Sequence, residues 1–307
     1  MYLLYYWCFF LFGCGKKSSS LPEQSESVSP EEKPVAAVIE PPNDMVYRDG
    51  LAVRMKNAIE QSKSYVIVLT DVLGEEGWDE DPLYPSTEVN CMIWLQWVLA
   101  LAYQHPSVSR EKVMDAIRYY ESGISFGSRK HYIDRWVNIE PGPLVPYSGE
   151  VCLHTEEMEI TLRLDLLQQH WKYPCPMYRP SENRFQVNFV SGSDFSRCSS
   201  QLSNGYYVVF PVANSQYIDT YSVAGPMGLV HSMILHRNNE ETELYHASLD
   251  YGKVHNESPK VFWERMTHMI KGFVIYELDP DWLPQTKSSS AEIQQIQICE
   301  QALLAPQ

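Results

Sequence analysis

Basic residues are scarce in this chain. Its 24 Lys and Arg stand against 39 Asp and Glu, giving a formal net charge of -15 over 307 residues. Such a field repels polyanions, so nucleic acid is excluded as a natural partner. Long apolar runs are also missing: beyond the N-terminus no stretch holds 18 uninterrupted apolar residues, which leaves no candidate for a later spanning helix. No internal repeat is present, so the chain is not a stack of copies of one unit. What remains, 44% hydrophobic and 21% charged, is the composition of a globular protein with one domain, or one large domain with insertions.

The N-terminus has a character of its own. "MYLLYYWCFFLFGCGKKSSS" carries an apolar run too short to span a bilayer but suited to a signal-peptide core. The run ends in Leu11-Phe12-Gly13-Cys14, which resembles a bacterial lipobox, in which the cysteine is acylated. Residues 1–13 are therefore expected to be a signal peptide and Cys14 the site of lipidation, with a plain signal peptide as the alternative. Residues 14–45, rich in Ser, Pro and Glu, are expected to be a disordered, lipid-anchored linker. The expected location is the periplasmic side of a membrane or the cell envelope. If Cys8 leaves with the signal and Cys14 carries lipid, five cysteines remain: Cys91, Cys152, Cys175, Cys198 and Cys299. An odd number leaves one thiol outside any intramolecular pairing, and the others either form disulfides in an oxidising compartment or stay as buried thiols.

From residue 46 to about 285 the pattern is that of a folded domain, followed by a tail at 286–307. Asp49 to Lys63 reads as a helix, "SYVIVLT" as a short buried run and Cys91 to Tyr103 as a helix apolar on nearly every face. "SREKVMDAIRYYES" and "HTEEMEITLRLDLLQQHW" read as amphipathic helices. After about residue 183 the texture changes to "RFQVNFV", "GYYVVFPV", "GLVHSMILHR", "TELYHASL" and "GFVIYEL", short β-branched or aromatic runs separated by turn residues. Helices followed by consecutive strands predict an α+β fold with a mostly antiparallel sheet and a large helical insertion at about 104–200.

Cys91 opens the apolar helix, directly after Asn90, a residue suited to a helix start. Cys91, Leu95, Val98, Leu99 and Ala102 share one stripe, so the thiol lies at the mouth of a buried helix. The partial positive charge and unpaired N–H groups there favour a thiolate and stabilise an oxyanion. The plainer reading is one more small buried side chain. Downstream, Asn238-Asn239 separates two strand-like runs and tolerates the positive φ angles of a hairpin turn. Centred on that pair, the hairpin sets Arg237 opposite Glu240, Met233 opposite Leu244 and His231 opposite His246, with the two histidines' Cβ atoms roughly 5 Å apart. A thiol and two paired histidines supply a nucleophile, a base and an orienting residue. Zinc would need a third ligand beside them, and His236 falls on the opposite face of the strand; two satisfied core histidines are the remaining alternative.

The order of a cysteine at a helix start, then "HSMILHR" and "HASLDYGKV" on adjacent strands, resembles the NlpC/P60-like, papain-like cysteine hydrolases. More closely it resembles the DUF1460 family, labelled N-acetylmuramoyl-L-alanine amidase-like. The stretches "VNCMIWLQWVLALAY", "SRKHYIDRW", "NGYYVVFPV", "GLVHSMILHR", "LYHASLDYGKV" and "IKGFVIYEL" carry this similarity over about residues 50–280. By resemblance Cys91 is the nucleophile, His231 the base and His246 the third, orienting residue. The family's Gly-Thr-Pro-Tyr before the cysteine has no clean match, with Tyr84 of "DPLYPS" the candidate for its tyrosine; Tyr84 and Asn90 are candidate substrate contacts. Asn90 stands where an Asp is usual, and Met92 where a small or hydroxyl residue is usual. Arg129, His131 and Asp134 are candidates for a substrate pocket, against the alternative that their charges sit in solvent. The resemblance implies a cysteine amidohydrolase of peptidoglycan or muropeptides, without metal or organic cofactor and acting as a monomer. The alternatives are a non-catalytic wall-binding lipoprotein with a degenerate site and a stem-peptide endopeptidase or transpeptidase.

Overall fold

The computed structural model describes residues 50–68, 84–85, 88–121, 123–130, 142–147, 152, 155–161, 168–169, 172–178, 184–214, 228–239, 241–284 and 289–304. The proposed signal segment, Cys14, the linker, His131 and Asp134 lie outside them. The fold is α+β. Along the chain run α1 (Leu51–Ser62), β1 (Val66–Ile67), β2 (Glu88–Val89), α2 (Cys91–Ala102), α3 (Arg110–Arg118) and a 3-10 turn (Phe126–Ser128). Then follow β3 (Leu144–Pro146), β4 (Thr155–Thr161), β5 (Arg184–Ser191), α4 (Gly192–Gln201) and β6 (Gly205–Ala213). The last elements are β7 (Met233–Asn238), β8 (Glu241–Ser248), β9 (Lys253–Glu257), α5 (Pro259–Met266), β10 (Ile270–Leu278) and α6 (Ala291–Leu304).

All ten strands join one sheet in the order β2-β1-β9-β8-β7-β6-β10-β5-β4, with β3 paired to β10. Among the described residues only β1 and β2 run parallel; every other pairing is antiparallel. Alternate strand residues point to opposite faces, and each face has its own core. On one face Val208, Phe210, Ile234, Ala247 and Val254 pack with α1, α2 and α3. On the other, Val209, Met233, Leu235 and Leu244 pack with Phe195 of α4 and Phe262 of α5. Helix α2 buries ten of its twelve residues, as its all-round apolar surface demands.

The structure corrects three expectations. The segment at 104–200 is not a helical insertion: it supplies strands β3, β4 and β5 as well as α3 and α4. "TEEMEIT" forms a strand because Met158 and Ile160 alternate with Glu157, Glu159 and Thr161, the period of two of a strand. Residues 286–307, expected as a tail, contain α6, which Cys299 ties to Cys175; a second disulfide joins Cys152 and Cys198. The five cysteines thus divide as two pairs plus Cys91, the thiol outside both.

Gly272 ends the bulge of β10, where β10 lies between β6 and β5 and pairs with both. A Cβ there would lie 2.3 Å from the Val190 carbonyl oxygen and 2.4 Å from the Phe189 ring, so the sheet closes over a missing side chain. Gly272→Ala is expected to lower the unfolding free energy by about 1–3 kcal/mol, read from urea denaturation; an unchanged midpoint would contradict this packing.

Candidate active site

Helix α2 starts where the sequence says it should. Asn90 is its N-cap, extended in backbone, and its Oδ1 accepts a hydrogen bond from the Ile93 N–H at 2.9 Å. Asn90, a candidate substrate contact by resemblance, thus uses its side-chain oxygen to fix the helix start. Cys91 follows directly, partly exposed. The Ser232 hydroxyl donates to the Cys91 carbonyl at 2.6 Å, which pins the residue after His231 to the first residue of α2. The fully buried Ser232 was not foreseen as a site residue.

The β7–β8 hairpin forms, with Asn239 at φ 45° in its turn. Its register differs from the expected one by two residues: Leu235, not Met233, lies opposite Leu244. A shift of two keeps every side chain on its face. His231 precedes β7, and its ring still meets that of His246, with centroids 5.2 Å apart and planes at 88°. His231 Nε2 lies 3.1 Å from His246 Nδ1. The residue directly opposite His246 is His255 on β9.

Behind His246 stands a group the sequence reading missed. His246 Nε2 lies 3.0 Å from Glu257 Oε1, and Arg265 Nη2 donates to the same oxygen. Arg265 Nη1 donates to Asp250 at 2.9 Å. Phe262 of α5 closes over the histidines, parallel to His231 and edge-on to His246. Ser258 caps α5 by accepting from Val261 N–H, and Pro259 sits in its first turn. This start fixes Glu257 as the last residue of β9. A signal for it existed: the β8–β9 register sets Glu257 opposite the buried Leu244, and an acid facing an apolar position on an inner face calls for a partner.

The direction of the hydrogen bonds follows from chemistry. A carboxylate only accepts, so His246 carries its proton on Nε2 and donates to Glu257. With His246 neutral, its Nδ1 is an acceptor and His231 donates from Nε2. His231 is then left with a lone pair on Nδ1. Burial lowers the His231 pKa well below the usual histidine value, with His246 and Arg265 adding to the effect, so the ring is neutral at pH 7. Burial alone would raise the Glu257 pKa, but the hydrogen bonds from His246 and Arg265 outweigh it and hold the carboxyl below its ordinary value.

Two other candidates, Tyr84 and Arg129, have partners of their own. Tyr84 donates to both carboxylate oxygens of Asp115 on α3 at 2.9 Å. Its phenol is pushed well above the ordinary tyrosine value by burial and by that carboxylate. Arg129 is buried at 1% exposure, with its guanidinium 4.9 Å from the centre of the Phe126 ring; its charge is not a solvated one. Among the described residues no group of three or more His, Cys, Asp or Glu is placed to hold a metal ion.

The α+β chain thus brings a cysteine at the mouth of a buried helix and a histidine pair on the adjoining hairpin together through the Ser232–Cys91 bond. A family model described as AmiA-like, N-acetylmuramoyl-L-alanine amidase-like, matches residues 63–266, a span that includes Cys91, His231, His246 and Glu257. The chain belongs to this amidase-like family, DUF1460. It is similar to a solved DUF1460 protein of Legionella pneumophila, with TM-score 0.63 and 17% identity over 80% of this chain and 96% of that one. It is also similar to a structure named N-acetylmuramoyl-L-alanine amidase from Bacteroides uniformis, with TM-score 0.55 and 17% identity over 75% and 99%. A third, from Bacteroides fragilis and provisionally named a xylanase, has TM-score 0.52 and 16% identity over 72% and 99%. At these identities the likeness is one of fold, and names that differ so much show that fold does not fix the bond cut. No curated protein matches the chain.

The depressed His231 pKa makes stability depend on pH. Below about 6.5 the unfolded chain takes up a proton that native His231 resists, so its contribution falls as the pH drops from 6.5 toward the native pKa. Glu257 acts in a lower window: its contribution is present above the ordinary value of 4.5 and is lost as the pH falls through its native pKa. NMR titration should place the His231 midpoint below 6.5. His231→Asn should lose less stability than wild type on going from pH 7 to 5.5; equal slopes in urea denaturation would contradict the assignment.

Proposed function

We propose that the chain is an exported cysteine amidohydrolase that cleaves an amide bond of peptidoglycan fragments through an acyl-enzyme on an NlpC/P60-type, papain-like core. The observation that carries this reading is the hydrogen-bonded series His231–His246–Glu257, held against the first residue of α2 by the Ser232–Cys91 bond. Membership of an amidase-like family supports a peptidoglycan-related substrate. The two disulfides support an oxidising compartment outside the cytoplasm, and acylation of Cys14 would hold the protein to the membrane there. A charge of -15 favours small soluble muropeptides over the intact anionic wall.

In this mechanism His231 Nδ1 takes the Cys91 thiol proton as Sγ attacks the amide carbonyl. Backbone N–H groups at the start of α2 hold the oxyanion. The tetrahedral adduct collapses to a thioester, and His231 gives its proton to the departing amine. Water then attacks the thioester, losing a proton to His231, which returns it to the sulfur as Cys91 is released. His246 keeps His231 in the working tautomer throughout. No step draws on a metal or an organic cofactor, and one chain carries every group named.

The full chain incubated with purified muropeptides should yield a product whose mass, read by mass spectrometry, names the bond broken. Cys91→Ala and His231→Ala should abolish it, with losses of at least about 10³-fold. Product formed equally by wild type and Cys91→Ala would overturn the mechanism. If no protein gives product and Cys91 alkylates no faster than a model thiol, a wall-binding protein becomes the better reading.

A further inference from the structure

We infer that Glu257, clamped by Arg265, is a positioning residue that sets the tautomers of both histidines and thereby leaves the His231 Nδ1 lone pair available as base. The inference rests on the proposed role of His231 and extends the site by one ion pair, whose carboxylate is buried and whose guanidinium is partly exposed. Glu257 has a side chain 4% exposed, and its Oε1 accepts from both His246 and Arg265. Its Oε2 and Arg265 Nε are both buried without a hydrogen-bond partner. The two unsatisfied atoms belong to one ion pair, which can turn into a two-pronged fork without releasing His246. The charged and titratable groups around the pair are His246 on β8, His255 on β9, Asp250 in the turn before β9 and, beyond His246, His231.

A residue opposite Leu244, on a face lined by Met233, Leu235 and Phe262, is otherwise expected to be apolar. Burying an ion pair there gains little stability over a hydrophobic side chain of similar size. Its effect is on the proton positions. Without an acceptor at Glu257, the His246 Nε2–H would be buried and unpartnered, which costs free energy. Moving that proton to Nδ1 restores a bond, with His246 now donating to His231 Nε2. The His231 proton must then sit on Nδ1, and the base is lost. No atom need move for this inversion, so a packing role and a tautomer role give different results when Glu257 is replaced.

The test uses the full chain, labelled with ¹⁵N in its histidines. Long-range ¹H–¹⁵N correlation in wild type should show both His231 and His246 protonated on Nε2. In Glu257→Leu both should shift to Nδ1–H, with a lowered melting temperature because Arg265 keeps only Asp250 as a carboxylate partner. On muropeptides kcat should fall roughly 10²- to 10⁴-fold with KM within a few-fold. Glu257→Gln, which keeps one acceptor oxygen without the charge, should restore part of the Nε2–H population and part of kcat. Nδ1–H on His246 in wild type, or an unchanged Nε2–H in a folded Glu257→Leu chain, would overturn the inference. The wild-type and Gln spectra decide it even where the Leu variant does not fold. Because the spectra need no substrate, a chain with the expected tautomers and no action on muropeptides would sink the proposed function and leave the Glu257 assignment standing.

Discussion

Helix α2 is apolar on every side and must be covered on every side. With ten of its twelve residues buried, it has to run beneath the sheet and between α1 and α3. Cys91 in its first turn and Leu101 in its last are its two partly exposed residues, and Asn90 fixes where the first turn begins. Cys91 is therefore presented at the protein's edge by the most deeply buried element of the fold. Mobility of the thiol would require unpacking Trp94, Leu95, Val98 and Leu99, each without exposed surface. A core helix packed this way fixes the position of its first residue.

The histidines are positioned by a different device. The hairpin of β7 and β8 contributes His246 from within a strand and His231 from the irregular residues just before one. Because His231 lies outside the ladder, its ring can turn edge-on to His246 instead of lying parallel in the next strand position. Ser232 ties this irregular stretch to α2. Phe262 covers the pair from the other face of the sheet, and its burial of the rings keeps His231 neutral. Cys91 packs against one core and His246 against Phe262 of the other, and the Ser232–Cys91 bond links the two faces.

Much of this was legible from residues alone. The all-round apolar helix, its asparagine cap and the hairpin at Asn238-Asn239 were each written in local pattern, because helix burial and turn chemistry are local. The contact of His231 with His246 survived a register error of two residues, since parity decides the face. Glu257 was not legible without a second pairing: only the register of β8 against β9 shows that an acid near the end of "KVHNE" opposes a buried leucine. The strand at Thr155–Thr161 was misread because Met158 with Leu162, and Ile160 with Leu164, also fall at the i, i+4 spacing of a helix in the sequence, and only the pairing with β5 decides. The odd cysteine count was legible, but whether the other four pair, and how, was not, because pairing depends on where β5, α4 and α6 come to rest. Tyr84 and Arg129 were singled out by type and position, yet one is engaged by Asp115 and the other is buried beside Phe126, facts set by packing rather than by spacing.

The account stands on the claim that Cys91 becomes covalently acylated during turnover. The most direct measurement is acid quenching of the full chain within seconds of mixing with muropeptide, followed by peptide mapping by mass spectrometry. A mass increment equal to the acyl portion of the substrate, confined to the peptide containing Cys91 and removed by hydroxylamine, is the expected result. Turnover with no increment on Cys91 at any quench time, and with Cys91→Ala as active as wild type, would contradict it.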